Sequence, residues 1–288
     1  MIDLHNDLIT SKNLSYNEKI NKIKQYSKQG VKVFYALFLG GKGEEYLNTL
    51  SWSKNYQNLS IEDIGGIENI DSIFYFKPAF ATLTWNYNNK YGGGALDNGN
   101  LTNLGKDIIE LLNAKNIALD LSHLNRKTFE SVTKNATRIL VSHTCFDKIR
   151  EHKRNLTDDQ IKEVIDKNGI IGLCFYSNFL TCNQRATIND LVEHIDYFCS
   201  KFSYKNLSIG TDFFGADNFV EGIEDYGDFY KINDRLKQLG YDDKIISAIM
   251  SENAQRFLEI WVKSNKFLLY YNIFIKNIAK LVHKSNKI

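Results

Sequence analysis

Long apolar runs are missing from this chain. No segment reaches the ~18 consecutive apolar residues of a membrane span. The opening MIDLH already reads as a strand, which leaves no room for a signal peptide and points to a cytoplasmic protein. Cysteines are few: Cys145, Cys174, Cys182 and Cys199 form no CxxC pair, and a chain of 288 residues needs no disulfide scaffold. They read as free thiols in a reducing compartment. Neither sign of charge dominates, with 36 Lys and Arg against 34 Asp and Glu. No basic stripe interleaved with aromatics crosses the body of the chain, so no nucleic-acid partner is expected. Pro78 is the only proline, while Lys, Asn and Ile are abundant. That reads as a compositional bias of the source genome rather than a functional clue.

What is present is ordinary for a soluble globular protein: 43% of residues are hydrophobic and 24% charged, enough for a sizeable core in one large or two small domains. The informative stretch is 117–143, which reads IALDLSH, then a segment with helical spacing, then RILVSH. Leu124, Phe129 and Val132 mark the apolar side of the middle segment, and Lys127, Glu130 and Lys134 the polar side. Strand, helix and strand make a βαβ unit with parallel strands. Parallel strands point their C-terminal ends the same way. His123 and His143 should therefore emerge together on the face where α/β folds bind ligands. Two imidazoles side by side suggest a metal site.

The same alternation runs through the chain. Strands are expected at 2–5, 31–39, 58–62, 79–85, 117–123, 138–143, 170–176 and 207–212. Helices are expected at 15–29, 44–57, 67–76, 103–116, 188–202, 229–239 and 242–262, and another begins at the cap Thr157-Asp158-Asp159-Gln160. Gly40, Gly41 and Gly43 make one loop, and a long polar loop spans Asn86 to Asn100. Eight β/α units over about 260 residues match a (β/α)8 TIM-type barrel. A doubly wound open sheet is the alternative. The first strand is not followed by GxGxxG, which disfavours a dinucleotide fold.

In a barrel, the strand C-termini would carry His5, Asp7, Glu62, Trp85, His123, His143 and Asp212. Each has an ordinary explanation alone: a hydrogen-bonded loop histidine, or an acid capping a helix. Their coincidence on so many strands is harder to explain that way. Histidine and carboxylate together suit Zn²⁺ and related divalent ions. The i, i+2 spacing of His5 and Asp7 puts both side chains on one side of an extended strand, within reach of one ion. Glu62 could bridge two ions, with His123 and His143 on the second. Two such ions can activate a bridging water and stabilise an oxyanion.

At these residues the chain resembles the membrane (renal) dipeptidase family, zinc peptidases built on (β/α)8 barrels. The segments that carry the resemblance are DLHNDL (3–8), SIEDIGGI (60–67), ATLTWNYNN (81–89), LTNLGKDIIELLNAKNIALDLSH (101–123), ILVSHT (139–144), RNLTDDQIK (154–162), GIIGLCFYSNFL (169–180), LSIGTDFFG (207–215) and SENAQRFLE (251–259). The resemblance implies a zinc-dependent dipeptidase, cleaving the peptide bond of dipeptides through a metal-bridging hydroxide. It implies that His5, Asp7 and Glu62 hold one zinc, and Glu62, His123 and His143 the other. Arg154 would bind the substrate carboxylate, for which a planar guanidinium is suited. On its own it would be a surface salt-bridge partner. Asp212 would shuttle the proton to the leaving amine, where the plain alternative is a loop cap.

Several positions depart from the family pattern. Trp85 stands where better-studied members have a histidine that touches the substrate, and tryptophan offers a single N–H donor. Asp212-Phe213-Phe214-Gly215 replaces Asp-Phe-Asp-Gly, so its second acid is gone. The segment between His5 and Glu62 is short for the family. Two alternatives follow: a metal-binding barrel with little turnover, or a related amidohydrolase acting on another amide. Beyond the barrel at 1–262, residues 263–288 have six lysines and no acid around an apolar middle. They read as a basic amphipathic C-terminal segment: a helix under the barrel, a homodimer contact or, least favoured, a membrane-surface element.

Overall fold

The structure is a computed structural model that describes residues 1–38 and 58–259. Eight strands follow one another along the described residues: β1 Ile2–Asn6, β2 Lys32–Phe38, β3 Leu59–Glu62, β4 Phe80–Thr82, β5 Ala118–Asp120, β6 Ile139–Thr144, β7 Ile170–Leu173 and β8 Leu207–Ile209. Each pairs in parallel with the next, and β8 pairs back onto β1. The sheet is a closed barrel in sequence order. Closure confirms the (β/α)8 expectation and removes the open-sheet alternative.

Around it lie α1 Tyr16–Lys28, α2 Asp71–Phe76, α3 Asn103–Ala114, α4 Arg126–Asn135, α5 Asp158–Asp166, α6 Ser177–Leu180, α7 Ile188–Lys201, α8 Phe229–Gln238 and α9 Asp243–Ser247. Their starts are written in the sequence. Ser15 with Glu18, Thr157 with Gln160, and Thr187 with Asp190 form reciprocal capping boxes, each satisfying two otherwise orphaned backbone donors. The last predicted helix is interrupted. A π-helical stretch, Ala248–Glu252, follows α9, and the chain is helical again over 253–259. The short helix α6 was not expected. The predicted helix 44–57, the glycine loop at 40–43 and the segment 263–288 lie outside the described residues. Among the described residues no helix is long and apolar enough to cross a membrane.

Two apolar layers hold the barrel. One fills the space between strands and helices, with Ile61, Leu119, Val141 and Leu173 facing Ile109, Phe129, Ile161 and Phe198. The other plugs the N-terminal end inside the barrel. There Leu4, Phe34, Phe80, Leu140 and Ile170 meet Phe257 and Leu258 of the terminal helical stretch. The opposite end is polar, and it is where the strands stop early. Predicted strands at 79–85, 117–123, 170–176 and 207–212 lose their last residues from the ladder. Of those residues, Trp85, His123, Tyr176 and Asp212 line the mouth, while Leu83, Leu121 and Phe175 join the outer apolar layer.

One irregularity aims the sixth strand. The register of β6 against β7 shifts between Val141 and Thr144. Across from it lie two glycines. A Cβ on Gly172 would meet the Ser142 carbonyl oxygen at 2.0 Å, and one on Gly210 at 1.7 Å. No side chain fits in either place, so bare backbone lets Ser142 tuck in and sets His143 at the mouth.

Candidate metal centre

The seven mouth residues expected from the sequence do meet at one end of the barrel. Asp7, Glu62, Trp85, His123, Arg154 and Asp212 line a cavity of about 670 Å³. His5 and His143 are buried beside these residues, their ring centroids 3.8 Å apart. His5 Nε2 lies 3.2 Å from Asp7 Oδ2, 3.9 Å from Glu62 Oε1 and 3.8 Å from Asp212 Oδ1. Glu62 Oε1 is 2.8 Å from His123 Nε2 and 3.9 Å from His143 Nε2. Glu62 thus stands between the imidazoles of His5 on β1, His123 after β5 and His143 on β6. Two groups have ligand atoms all within 4.8 Å of one another: His5, Glu62 and His143, and His5, Asp7 and Asp212. Asp212 therefore stands within reach of an ion held by His5 and Asp7. Its sequence position had suggested only a proton carrier.

The histidines are set up as ligands by their other nitrogen. Asn86 Oδ1, an acceptor, is 2.8 Å from His123 Nδ1, so that nitrogen carries the proton. Arg154 Nη2 can only donate, and it points at His143 Nε2 from 2.8 Å, while Ser142 Oγ takes the proton on Nδ1 at 2.8 Å. Both rings therefore present an unprotonated Nε2 to the mouth, and these two atoms face each other at 2.8 Å. Arg154 donates to the His143 lone pair, which leaves the His123 lone pair beside it facing the cluster. His5 Nε2 and Glu62 Oε1 are also buried without a hydrogen-bond partner, the 2.8 Å contact of Glu62 Oε1 being to an unprotonated His123 Nε2. A buried polar atom left unpaired is costly unless a ligand completes it. The donor set of imidazoles and carboxylates fits divalent metal ions, and the orphaned atoms point where an ion would sit.

Electrostatics agree. Burial lowers the His123 and His143 pKa values well below the ordinary histidine value, and Arg154 and His5 push the same way. Both rings stay neutral, which is the ligating form. Burial also works against charge on His5, but Asp7, Glu62 and Asp212 outweigh it and hold that ring up to about 10. Burial raises Glu62, opposed by His5 and Arg154. Asp212 is raised to about 8, chiefly by burial, with His5 opposing and Asp7 and Glu62 adding. His5 and Arg154 are the positive charges facing these carboxylates, and a divalent ion on His5 Nε2 would take the place of its proton.

The backbone is strained here too. His123 (φ 68°), Asp212 (φ 63°) and Asp63 (φ 58°), next to Glu62, all adopt the left-handed region that non-glycine residues avoid. Several supporting residues were not foreseen. Asn86 orients His123. Cys174 Sγ lies 3.7 Å from Asp212 Oδ2. Asp3 accepts from Thr211 Oγ1 at 2.6 Å and Tyr226 Oη at 2.5 Å, tying β1 to the end of β8. The Ser in Ser142-His143 was visible, but nothing in the sequence pairs Asn86 with a histidine 37 residues on.

Residues 70–266, more than half of the chain, match the sequence profile of the membrane dipeptidases, peptidase family M19. The chain belongs to that family. As a membrane dipeptidase family member it is a hydrolase of the metallo-dipeptidase class. The matched span holds Trp85, His123, His143, Arg154 and Asp212, while His5, Asp7 and Glu62 precede it. A Klebsiella pneumoniae protein, described as an uncharacterized protein in the pqqA 5′ region, is 29% identical over 191 residues, 62% of this chain and 70% of that one. An uncharacterized dipeptidase of Schizosaccharomyces pombe is 28% identical over 209 residues, 70% of this chain but only half of its own length. Among solved structures, dipeptidase AC, a metallopeptidase of family M19, aligns with a TM-score of 0.79 at 18% identity, over 90% of this chain and 97% of that one. A metallopeptidase from Rhodobacter sphaeroides, liganded with a phosphinate mimic of L-Ala-D-Ala, gives 0.78 at 18%, over 90% and 98%. At that identity the two structures speak for the fold.

Proposed function

We propose that this family member cleaves the peptide bond of free dipeptides, with two zinc ions held by His5, Asp7, Glu62, His123 and His143. The observation that carries the reading is Glu62. It stands buried between three imidazoles, with an oxygen that accepts no hydrogen bond. Ions held there would polarise the scissile carbonyl and supply a hydroxide nucleophile at neutral pH.

The chain's own groups do the rest. Arg154 is buried, forms no ion pair among the described residues, and leaves its Nε–H without an acceptor. A guanidinium in that state seeks a planar anion, and the C-terminal carboxylate of a dipeptide supplies one. That contact fixes the scissile carbonyl over the ligand cluster. Asp212 lines the same cavity and is placed to pass a proton from the attacking water to the leaving amine. Glu62 holds its carboxylate where positive charge accumulates. Trp85 contributes one N–H donor and a flat apolar face. The free state of all four cysteines supports a cytoplasmic setting.

The test is a panel of dipeptides and N-blocked amides, with zinc content measured alongside. Metal-loaded protein should release free amino acids from dipeptides, stop with chelator, and recover on adding zinc. His123→Ala should lower the zinc bound per chain. Stoichiometric zinc with no hydrolysis would instead favour a binding barrel, the reading that Trp85 and Phe214 support. Cleavage confined to N-blocked amides would favour a different amidohydrolase.

A further inference from the structure

Two of the departures from the family pattern, Trp85 and Phe214, are aromatic, and one of them belongs to a wall. Trp85 follows β4 and meets Phe38, the last residue of β2, with ring centroids 5.4 Å apart and edge to face. Tyr87 holds the indole from the solvent side, edge to face at 6.1 Å. On its third side Trp85 lies 6.0 Å from the His123 ring. Three neighbours fix the indole, so it meets a ligand already oriented and loses little freedom on binding. Both Phe38 and Trp85 line the cavity.

Strand order says which part of a substrate would meet this wall. The barrel closes in sequence order, so the loop after β6 faces β2 across the mouth. Arg154 lies in that loop, and the ligand cluster lies between it and Phe38. A dipeptide with its carboxylate on Arg154 and its scissile carbonyl over the cluster must direct its first residue at Phe38 and Trp85. Its second residue stays on the Arg154 side, beside Phe179, whose ring packs 5.4 Å from the guanidinium carbon.

We infer that Trp85 and Phe38 form the pocket for the first residue's side chain, and that the enzyme selects dipeptides with a large apolar or aromatic N-terminal residue. The inference rests on the dipeptidase reading of the site and extends it to the class of substrate. A histidine at position 85 would offer a polar edge to the substrate. Tryptophan offers a broad apolar surface in the same place.

The experiment compares kcat/KM for Phe-Ala, Leu-Ala and Gly-Ala, and for Ala-Phe and Ala-Gly, with zinc-loaded protein. Phe-Ala and Leu-Ala should exceed Gly-Ala by about 10-fold or more. Trp85→Ala should bring that ratio down to roughly 3-fold or less, and Phe38→Ala should act in the same direction. Trp85→Phe should keep most of the preference. The Ala-Phe to Ala-Gly ratio should not follow Trp85→Ala. Phe38→Ala carries the test should Trp85→Ala fail to fold, as judged by its thermal transition. A wild-type ratio near one, or a ratio unmoved in both folded alanine variants, overturns the inference while the dipeptidase reading stands. No hydrolysis of any dipeptide would sink that reading, and the inference with it.

Discussion

Single atoms set this centre as much as the residues proposed as its ligands do. His123 and His143 can ligate through Nε2 only while their Nδ1 protons are held elsewhere. Asn86 and Ser142 hold them. Asn86→Ala or Ser142→Ala removes an acceptor without touching a ligand, so each should weaken zinc binding by about 10–100-fold while the fold survives. Competition with a calibrated chelator measures this, and unchanged affinity in both variants would refute the orienting role. Arg154 makes a different kind of prediction. Lysine keeps the charge but loses the planar fork, so Arg154→Lys should lower kcat/KM for free dipeptides by about 10-fold or more, mainly through KM. Zinc content should hold, because Arg154 is not a ligand.

Elements bring these atoms together, and here the sequence was readable only in part. The run ILVSHT announces a buried strand ending in a metal-type residue, and it is β6. The capping boxes at Thr157 and Thr187 announce helices that start there. The shift inside β6 is not announced. It depends on Gly172 and Gly210, residues of two other strands, which become neighbours of Ser142 only after closure. Nor does anything local single out His123 and Asp212 for left-handed backbone: both residue types enter it more often than most, but only as a minority conformation. Such strain is imposed by packing, so it escapes any window read along the chain. Gly210→Ala tests the glycine argument. Its new methyl group would collide with the Ser142 carbonyl, costing about 1–3 kcal/mol of stability by urea unfolding. Because Ser142 precedes His143, zinc affinity should fall as well. Loss of stability with native affinity would separate the bulge from the site.

At the scale of the molecule, the alternation of eight strand patterns was enough to predict a closed barrel, because closure is a count and a handedness rather than a set of contacts. Its pH range follows from a residue remote from the mouth. His194 on α7 is buried. Its Nδ1 accepts from the Phe146 N–H at 3.2 Å, and its Nε2–H donates to the Leu180 carbonyl at 3.1 Å. The ring thereby joins the loop after β6 to α6 and α7. A proton on Nδ1 would face the Phe146 N–H, so the fold accepts only the neutral ring. Burial lowers its pKa from 6.5 to about 4, with the Leu180 carbonyl and Asp190 opposing. The unfolded chain still protonates it near the ordinary value. Between those two pH values the unfolded state binds the extra proton, so stability falls as pH falls. The contribution is complete above about pH 6.5, is lost on the way down to about 4, and amounts to roughly 3 kcal/mol. Other groups in the chain contribute their own pH dependence, so the informative quantity is a difference. His194→Gln should be less stable than the parent at pH 7, and the gap should narrow steadily between pH 6.5 and 4. Equal slopes of unfolding free energy against pH in the two proteins would show that His194 does not set the acid limit.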